Sequence, residues 1–388
     1  MDQPEIAIIG AGIGGLTLAA CLLPANLPVT IFEQATAFRR VGTGIQLAPN
    51  AMKALAPLGL RPRLEALAFC PATMGNREWD TGELTFELPL GDRAEADYGA
   101  PYFLLHRGDL HQALQDLVPP QLIQLRARLV GLEARGERIS LRFADGSHAE
   151  ADAVVGADGV HSVVRDAVHT ASASFTGRVA YRAVFDRELV IGPRPAPSTK
   201  WWGPDRHIVI YYVSAGREVY FTTSVPDSDW TVESWSARGS TMELREAFAG
   251  FHPEVGGVLS ACPAVHKWAI YDRDPLPVWC TDKVVLLGDA CHPMTPYMAQ
   301  GGATAMEDAV VLSRCIASHG SGDLATAFAR YEACRAPRTS AIQAGSRSNT
   351  WLRRPTDPGW VYDYDAWQAP LEATPVAGPQ PPVGSSGG

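Results

Sequence analysis

The fold of this chain is decided near its beginning, by the sequence IAIIGAGIGG at residues 6–15. Four apolar residues precede the first glycine, which is typical of a buried strand. A small and apolar stretch at residues 16–23 predicts a helix, and the β-branched run at residues 29–32 predicts a second strand. The sequence therefore predicts a strand, a glycine-rich turn, a helix and a second strand, as in a dinucleotide-binding unit.

Gly10, Gly12 and Gly15 give this turn the pattern GxGxxG, and each position has a separate physical role. The first glycine permits the tight turn, the second lets the backbone approach a pyrophosphate, and the third lets helix and strand pack closely. The helix N-terminus offers unpaired N–H groups to the same anion. Glu33 ends the second strand at a distance of about 20 residues, where a carboxylate can accept hydrogen bonds from a ribose. A glycine-rich turn without a nucleotide is the competing interpretation, and the position of Glu33 favours the nucleotide.

Two later segments also place an aspartate shortly after an apolar strand. Residues 153–155 precede Gly156 and Asp158, and residues 284–287 precede Gly288 and Asp289. Strands of a parallel sheet end in this way where they deliver a loop to a ligand. Each aspartate taken alone is more typical of an ordinary turn. Their combination with a second glycine pair, at 301–302 before a helix, favours FAD among the dinucleotides.

The order of these elements predicts an α/β fold, with a Rossmann-like FAD-binding domain built on a parallel sheet, an antiparallel-sheet substrate domain and a C-terminal helical region. From about Tyr181 to Pro226 the pattern alternates, so that His207, Val209 and Tyr211 face one side of a strand. Helical spacing follows after Met306. We predict a discontinuous FAD-binding domain at residues 1–75, 100–178 and 270–340, a substrate domain at 76–99 and 179–269, a helical or extended segment at 341–370 and a disordered tail at 371–388.

Composition places the chain among ordinary globular proteins. It has 388 residues, a formal charge of -9, 46% hydrophobic residues and 19% charged residues. Without clustered Lys and Arg it is not expected to bind nucleic acid, and without a run of about 18 apolar residues it is not expected to span a membrane. Seven scattered cysteines without a CxxC pair predict reduced thiols, and neither a disulfide framework nor a metal site. No secretory signal precedes the first strand, so we predict a cytoplasmic protein.

Three motifs together resemble those of the single-component flavoprotein aromatic hydroxylases, the class that includes para-hydroxybenzoate and salicylate hydroxylases. They are GAGIGG at 10–15, GADGVHS at 156–162 and GDACHPMTPYMAQGG at 288–302. The resemblance extends over residues 5–340. Within the class, the chain looks most like the 6-hydroxynicotinate 3-monooxygenase group, through HRGDL at 106–110, KWW at 200–202, the segment 205–212 and NTWL at 349–352. It implies an FAD enzyme that takes NADH or NADPH as a transient co-substrate.

The resemblance also implies which residues bind FAD. Arg107 would serve diphosphate or ribityl oxygens with its guanidinium, for which an ordinary surface arginine is the alternative, and Asp158 would support both FAD binding and NAD(P)H turnover. We expect Glu33, Arg107 and Asp289 to point into one common cleft. The cofactor-binding residues implied are Gly10, Gly12, Gly14, Gly15, Glu33, Gln34, Arg40, Arg107, Asp158, Asp289, Gly301 and Gly302.

The substrate residues implied by the resemblance lie mainly on the alternating strand. His207 and Tyr211 face the same side of it and match a histidine and a tyrosine that line the pocket in the 6-hydroxynicotinate enzymes, so we predict them as catalytic and substrate-binding residues. A core or interface role is the plainer alternative for such a pair. Gln46 and Tyr297, predicted as further substrate-binding residues, stand where that group has histidines, which implies a changed pocket.

The resemblance implies that the enzyme hydroxylates a small hydroxylated aromatic or pyridine carboxylic acid with O2, with loss of CO2 from a 6-hydroxynicotinate-like or salicylate-like substrate. Reduced flavin would activate O2 at its C4a carbon. His207, with an ordinary pKa near 6.5, would accept the proton of the ring hydroxyl directly or through Tyr211. A flavoprotein oxidase or dehydrogenase and a non-catalytic flavin-binding module are the competing functions. The sequence is compatible with a monomer or a homodimer.

Overall fold

The computed structural model describes residues 3–40, 42–170, 172–192, 194–230, 237–319 and 322–372. The tail predicted at 371–388 lies outside the described residues from 373 onwards. The strands are β1 (Ile6–Ile9), β2 (Val29–Glu33), β3 (Gly44–Leu47), β4 (Thr73–Glu78), β5 (Leu84–Pro89), β6 (Phe103–His106), β7 (Ile123–Leu125), β8 (Leu129–Arg135), β9 (Arg138–Phe143), β10 (His148–Ala151), β11 (Ala153–Gly156), β12 (Ser174–Asp186), β13 (Ser198–Trp202), β14 (His207–Val213), β15 (Glu218–Pro226), β16 (Arg238–Gly239), β17 (Val265–Asp272) and β18 (Val284–Leu286). The helices are α1 (Ile13–Leu22), α2 (Pro49–Leu55), α3 (Arg61–Leu67), α4 (Asp92–Tyr98), α5 (Arg107–Gln115), α6 (Val163–Val168), α7 (Thr241–Ala247), α8 (Pro253–Ala261), α9 (Gly301–His319), α10 (Leu324–Arg347) and α11 (Gly359–Tyr362).

The predicted nucleotide-binding unit forms a five-stranded sheet in the order β18-β11-β1-β2-β7. Every neighbouring pair in this sheet is parallel. The residues of β1, β11 and β18 are all buried, as expected for continuous apolar strands covered on both faces. Because these three strands are neighbours and run in one direction, the turns that follow them meet at the same edge of the sheet.

The second sheet has eight strands in the order β16-β17-β12-β15-β14-β13-β4-β5. All its pairs are antiparallel except that between β4 and β13. Strands from both segments that we assign to the substrate domain lie in this one sheet. The predicted alternation along β14 is confirmed, since Ile208, Ile210 and Tyr212 belong to a hydrophobic cluster on one face while the residues between them face the other way.

Two long helices follow the last strand of the parallel sheet. α9 begins at Gly301, earlier than the helical spacing after Met306 indicated, because the Gln300 carbonyl already accepts a helical hydrogen bond from the Thr304 amide at 2.8 Å. α10 contains Pro337 and crosses the boundary that we place at residue 340.

No helix of the described residues combines the length and the apolar character needed to cross a bilayer. All seven cysteines are free thiols. Burial raises the pKa of Cys315 to about 12, so this thiol stays protonated.

Candidate active site

A cavity of about 400 Å³ lies between the turns of the parallel sheet and one face of the eight-stranded sheet. Both predicted groups of residues, those for the cofactor and those for the substrate, therefore border the same space. The sequence-predicted residues that line it are Gly12, Gly14, Gln46, Arg107, His207, Tyr211, Asp289, Tyr297, Gly301 and Gly302. The predicted residues outside its lining are Gly10, Gly15, Glu33, Gln34, Arg40 and Asp158.

The glycine-rich turn leaves the N-terminus of α1 open toward the cavity. Gly10 has a φ of 105°, a conformation that favours glycine. A side-chain carbon added at Gly15 would stand 2.1 Å from the Gly10 carbonyl oxygen, whereas one added at Gly12 would meet no atom within 4 Å. Gly12 therefore borders empty space beside the helix N-terminus, where a ligand phosphate could approach the backbone.

Glu33 holds the glycine turn in place from the end of β2. Its carboxylate accepts hydrogen bonds from the amides of Ala11 and Ala35, each at 2.8 Å. Glu33 does not line the cavity, so of the three residues expected in one cleft only Arg107 and Asp289 border it, and the Glu33 carboxylate is engaged by the backbone. Gln34, the following residue, is exposed.

Arg40 joins the two parts of the molecule at the surface. Its guanidinium donates to Asp109 in the first turn of α5 and to Glu218 at the start of β15, both at 2.8 Å. Arg40 thus links helix α5 to strand β15 at the surface, and its side chain does not line the cavity.

Arg107 and Asp289 face each other across the cofactor end of the cavity. Arg107 begins α5, and its side chain is accessible through the cavity. Burial lowers the pKa of Arg107, and the nearby Asp289 opposes this shift. Burial raises the pKa of Asp289, while His292 and Arg107 counteract it. Among the described residues, no protein group hydrogen-bonds to either side chain, so both remain available to a ligand.

Asp158 has a structural partner at every oxygen. It accepts hydrogen bonds from the Ser162 hydroxyl at 2.5 Å and from the amides of Val163 at 2.7 Å and Val164 at 3.2 Å. The carboxylate therefore caps α6 and shapes the turn, in which Gly159 lines the cavity. The placement indicates a positioning role for Asp158.

A buried ionic network fixes the turn after β18. Asp308 on α9 accepts hydrogen bonds from His292 at 2.5 Å and from the Gly288 amide at 3.2 Å. Arg335 on α10 joins Asp308, at 2.7 Å, to Glu307, at 2.6 Å. All four side chains have 0–1% exposure. Because the network binds both α9 and the turn after β18, it fixes the position of Gly301 and Gly302 at the start of α9.

Five strands of the eight-stranded sheet contribute one residue each to a row across the substrate side of the cavity. The register pairs Arg182 with Thr222, Thr222 with Val209, Val209 with Lys200, and Lys200 with Asn76. All five line the cavity. At a strand spacing of about 4.8 Å, the backbones of Arg182 and Lys200 are about 14 Å apart. We call the surface formed by this row and its neighbours the floor. Arg182 lies at one end of the row, and Lys200 lies next to the other end.

His207 lies on β14, two residues before Val209, at one edge of this floor. It is buried among aromatic rings. Its ring centroid is 5.2 Å from that of Trp202 and 5.4 Å from that of Tyr297. Burial lowers the pKa of His207 well below its ordinary value, and the cations Lys200 and Arg178 act in the same direction. Among the described residues no hydrogen bond engages the imidazole. His207 is therefore neutral and available as a hydrogen-bond acceptor, with a pKa lower than the sequence suggested.

Tyr211 lies near Gln46. The Gln46 side chain lowers the pKa of Tyr211 against the larger effect of burial, and Tyr102 donates to the Gln46 Oε1 atom at 2.5 Å. Burial raises the pKa of Tyr211 well above its ordinary value, so its phenol is neutral. Tyr211 and His207 are about 13 Å apart along the strand, and Tyr211 therefore acts with Gln46, at the other end of the floor from His207.

Tyr297 forms a wall beside His207. Its hydroxyl lies 2.9 Å from the Ser224 hydroxyl, and its ring meets the imidazole edge-on. Burial raises the pKa of Tyr297, so the phenol is neutral.

The cavity lining carries an excess of positive charge that sequence reasoning missed. Among the described residues, its cations are Arg107, Arg182, Lys200 and Arg273, against the carboxylate of Asp289. Such a lining favours anions, namely a diphosphate at one end and a carboxylate at the other. The signal for Lys200 was present in the sequence as a lone charge within KWW, a strand whose five residues are all buried.

The donor set fits an FAD molecule. Open space beside Gly12, an unengaged guanidinium at Arg107 and the glycine-bearing start of α9 offer backbone N–H groups and positive charge to a diphosphate and to polar ring edges. The same cavity continues to His207, so a ring system held at its centre would face the substrate floor.

Residues 3–346 match a protein family described as an FAD binding domain. The chain is 44% identical over 373 residues to the 6-hydroxynicotinate 3-monooxygenase of Bordetella bronchiseptica and 42% identical over 374 residues to the enzyme of that name from Pseudomonas fluorescens, in each case over 95% of this chain and 97% of the relative. Its fold is similar to a crystal structure of Klebsiella pneumoniae HpxO complexed with FAD and uric acid, with a TM-score of 0.79, 29% identity, and coverage of 89% of this chain and 87% of the other.

Proposed function

The chain belongs to the FAD-binding domain family and is an FAD-dependent aromatic monooxygenase, and on this basis we propose that it uses NADH or NADPH and O2 to hydroxylate a small hydroxypyridine or hydroxybenzoic acid. A substrate of the 6-hydroxynicotinate type is favoured by the relatives of that name, at 44% and 42% identity. The reaction proposed is hydroxylation at the ring carbon that bears the carboxylate, with release of CO2.

The observation that carries this proposal is the continuity of the cavity. Gly12, Arg107 and Asp289 border one end of it, and His207 borders the other. A cofactor held at the Gly12 end of the cavity would lie directly beside a substrate held at His207. This proximity supports oxygen transfer within one enclosed site.

The chain's own residues would hold the cofactor by its charged and polar parts. The α1 N-terminus at Gly12 and the Arg107 guanidinium suit the diphosphate, and the α9 N-terminus at Gly301 and Gly302 suits the edge of the ring system. When bound, reduced FAD activates O2 and supplies the oxygen atom that reaches the substrate.

His207 is placed to accept the hydrogen bond of the substrate's ring hydroxyl. Because its pKa is well below the ordinary value, the imidazole presents a lone pair and not a second positive charge at neutral pH. As this hydroxyl passes its proton to the neutral His207 imidazole, Lys200 and Arg178 nearby would favour the ionised oxygen that remains on the substrate. An ionised hydroxyl donates electron density to the ring, which makes the ring carbon a better target for the oxygen atom.

The apolar side chains of the lining would exclude water from the reacting atoms. They come from five separated segments, so the enclosure depends on the tertiary fold. The residues are Ile45, Val209, Ile270, Met294, Met298, Trp351 and Leu352.

The proposal can be tested by incubating the FAD-loaded protein with a panel of 6-hydroxynicotinate, salicylate, 3-hydroxybenzoate and 4-hydroxybenzoate. We expect one NAD(P)H consumed per hydroxylated product, one atom of label in the product from 18O2, and CO2 from the acid that is turned over best. Oxygen consumption that yields hydrogen peroxide and oxidised product without label would identify an oxidase. Absence of any NAD(P)H oxidation or product with all four acids would contradict the proposal.

A further inference from the structure

We propose that Lys200 binds the carboxylate of the aromatic substrate and so determines that the enzyme prefers an acid. This inference rests on the proposed function, and it names the group that selects the substrate class. Lys200 belongs to the KWW segment but was not among the site residues predicted from the sequence.

Lys200 is a cation buried without an anionic partner. It has 6% exposure and lines the cavity. Within the described residues, its ammonium makes no ion pair and no hydrogen bond, and Nζ lies 3.8 Å from the centroid of the Trp202 ring. Burying an ammonium group without a counter-charge is costly, and a cation–π contact offsets a small part of that cost. An incoming carboxylate would provide the missing counter-charge.

The surroundings of Lys200 support the same conclusion. Burial lowers its pKa to about 7, and Arg353 acts in the same direction. The Arg353 guanidinium lies 5.3 Å from the same Trp202 ring, so a second cation adds to the local positive charge. An anion placed beside Lys200 would relieve this repulsion and return the lysine to its protonated form.

A second buried lysine, Lys267, provides a comparison for the surroundings of Lys200. Lys267 is similarly buried, with 5% exposure, and also lies near a tryptophan ring, Trp230, at 4.6 Å. Lys267, however, pairs with Asp227 at 2.9 Å and with Glu243 at 3.3 Å. Within the part of the chain that the structure describes, carboxylates therefore accompany the lysine outside the cavity and none accompanies the lysine inside it.

The position of Lys200 distinguishes it from the other cations of the lining. Arg107 lies at the cofactor end, near Asp289, and Arg182 stacks on the Trp268 ring at 4.1 Å, about three strand spacings from Lys200. Three cations, Lys200, Arg178 and Arg353, lower the pKa of His207, and of these Lys200 is the one that lines the cavity. A planar acid lying on the floor could therefore place its carboxylate at Lys200 and its ring hydroxyl at His207.

The test compares an acid with its uncharged amide in Lys200→Met, Lys200→Arg and Lys267→Met. For turnover, the pair is 6-hydroxynicotinate and 6-hydroxynicotinamide. For binding, the pair is nicotinate and nicotinamide, measured through the change in flavin absorbance of the FAD-loaded protein. We expect the wild type and Lys267→Met to favour each acid by at least about tenfold, as for one charge-assisted hydrogen bond of about 1.5–3 kcal/mol.

In Lys200→Met we expect the preference to disappear because the acid binds and reacts less well while the amide is unchanged. Lys200→Arg should retain much of the preference. An unchanged acid preference in Lys200→Met would overturn the proposal. An equal loss for acid and amide would also overturn it, since that result would place the ring hydroxyl, and not the carboxylate, at Lys200.

The binding pair separates this inference from the proposed function. If no acid of the panel is hydroxylated but nicotinate still binds more tightly than nicotinamide in a Lys200-dependent way, the function fails and the binding site stands. If turnover occurs with an acid preference that Lys200→Met retains, the function stands and the binding site fails. FAD content and melting temperature verify that each variant is folded.

Discussion

At the scale of single residues, the chemistry of this site is set by side chains whose charge state differs from that in water. His207 is neutral because it is buried among cations, and Lys200 is close to losing its proton because it is buried without an anion. In the proposed site the two side chains have different roles, because His207 accepts a hydrogen bond and Lys200 neutralises a negative charge. Neither state can be read from residue type.

Replacing His207 by Ala should lower kcat by about a hundredfold, as is typical for loss of a positioned proton acceptor. FAD content should stay within a factor of about two, because His207 lies at the substrate end of the cavity. Steady-state kinetics and the flavin absorbance of the purified variant measure the two quantities. Turnover equal to the wild type would remove His207 from the reaction.

The KM for the acid substrate should rise as the pH increases through about 7, the pKa to which burial lowers Lys200. Below this pH the lysine is protonated and can bind a carboxylate, and above it the free enzyme loses that charge, so KM should increase up to tenfold per pH unit. The charged or titratable groups around Lys200 are Arg353, which is always protonated, and His207, which stays neutral.

Lys200→Arg should move this rise above pH 9, because a guanidinium keeps its proton there. A KM that is independent of pH from 6 to 9 in the wild type would contradict the lowered pKa of Lys200.

At the scale of elements, the alternation of β14 separates function from packing. Odd-numbered positions from 207 to 211 line the cavity, and the even-numbered positions between them enter a hydrophobic cluster. Tyr211 and Tyr212 are neighbours in sequence, yet Tyr211 lines the cavity together with Gln46 while the Tyr212 hydroxyl donates to the Pro195 carbonyl at 2.9 Å. One strand thus serves the site and the core at once.

This alternation predicts different consequences for two conservative substitutions. Tyr211→Phe should reduce kcat/KM by about tenfold because the cavity loses a hydroxyl group beside the substrate. Tyr212→Phe should leave kcat/KM unchanged and lower the free energy of unfolding by about 1 kcal/mol. Kinetics and chemical denaturation of both variants provide the measurement, and a reversed pattern would mean that the register of β14 is wrong.

At the scale of the whole molecule, a buried ionic network connects the C-terminal helix α10 to the cofactor end of the cavity. Arg335 and Arg338 contact Glu307 at 2.6 and 2.8 Å, and Asp308 joins the network to His292. Burial would raise the pKa of Glu307, but Arg338 and Arg335 hold it below its ordinary value of 4.5. The network therefore stabilises the fold above pH 4.5, and this contribution is lost as the pH falls through the lower pKa of the folded state.

Arg335→Met should lower the free energy of unfolding by about 3–5 kcal/mol, because it removes one cationic partner from each of two buried carboxylates, Glu307 and Asp308. It should also weaken FAD binding, since the network positions the turn after β18. The control is Arg61→Met, which removes an exposed ion pair to Glu95 and should cost less than about 1 kcal/mol. Denaturation curves and flavin titration test both, and equal effects of the two substitutions would contradict a special role for the network.

Much of the fold and of the cofactor site could be predicted from the sequence. GAGIGG and the two aspartate-bearing turns indicated an FAD protein, and their resemblance to known motifs implied the aromatic hydroxylase class, which the family match and the relatives confirm. These signals are local, because a glycine turn, a helix start and a two-residue period depend on a few neighbouring residues. The individual site residues remain predictions, and the structure adds that Arg40 links α5 to β15 at the surface and that Asp158 caps a helix.

The sequence by itself determined that a dinucleotide unit begins the chain and that His207 and Tyr211 share one face of a strand, because both follow from short-range geometry. Only the tertiary structure decided which charges meet a partner. Lys267 and Lys200 are both lysines on strands, yet carboxylates brought from other elements reach the first and not the second. Whether a charged side chain is neutralised depends on which residues lie beside it in three dimensions, and these can be distant in sequence. For that reason only the fold could show that Lys200 lines the cavity without a carboxylate beside it among the described residues.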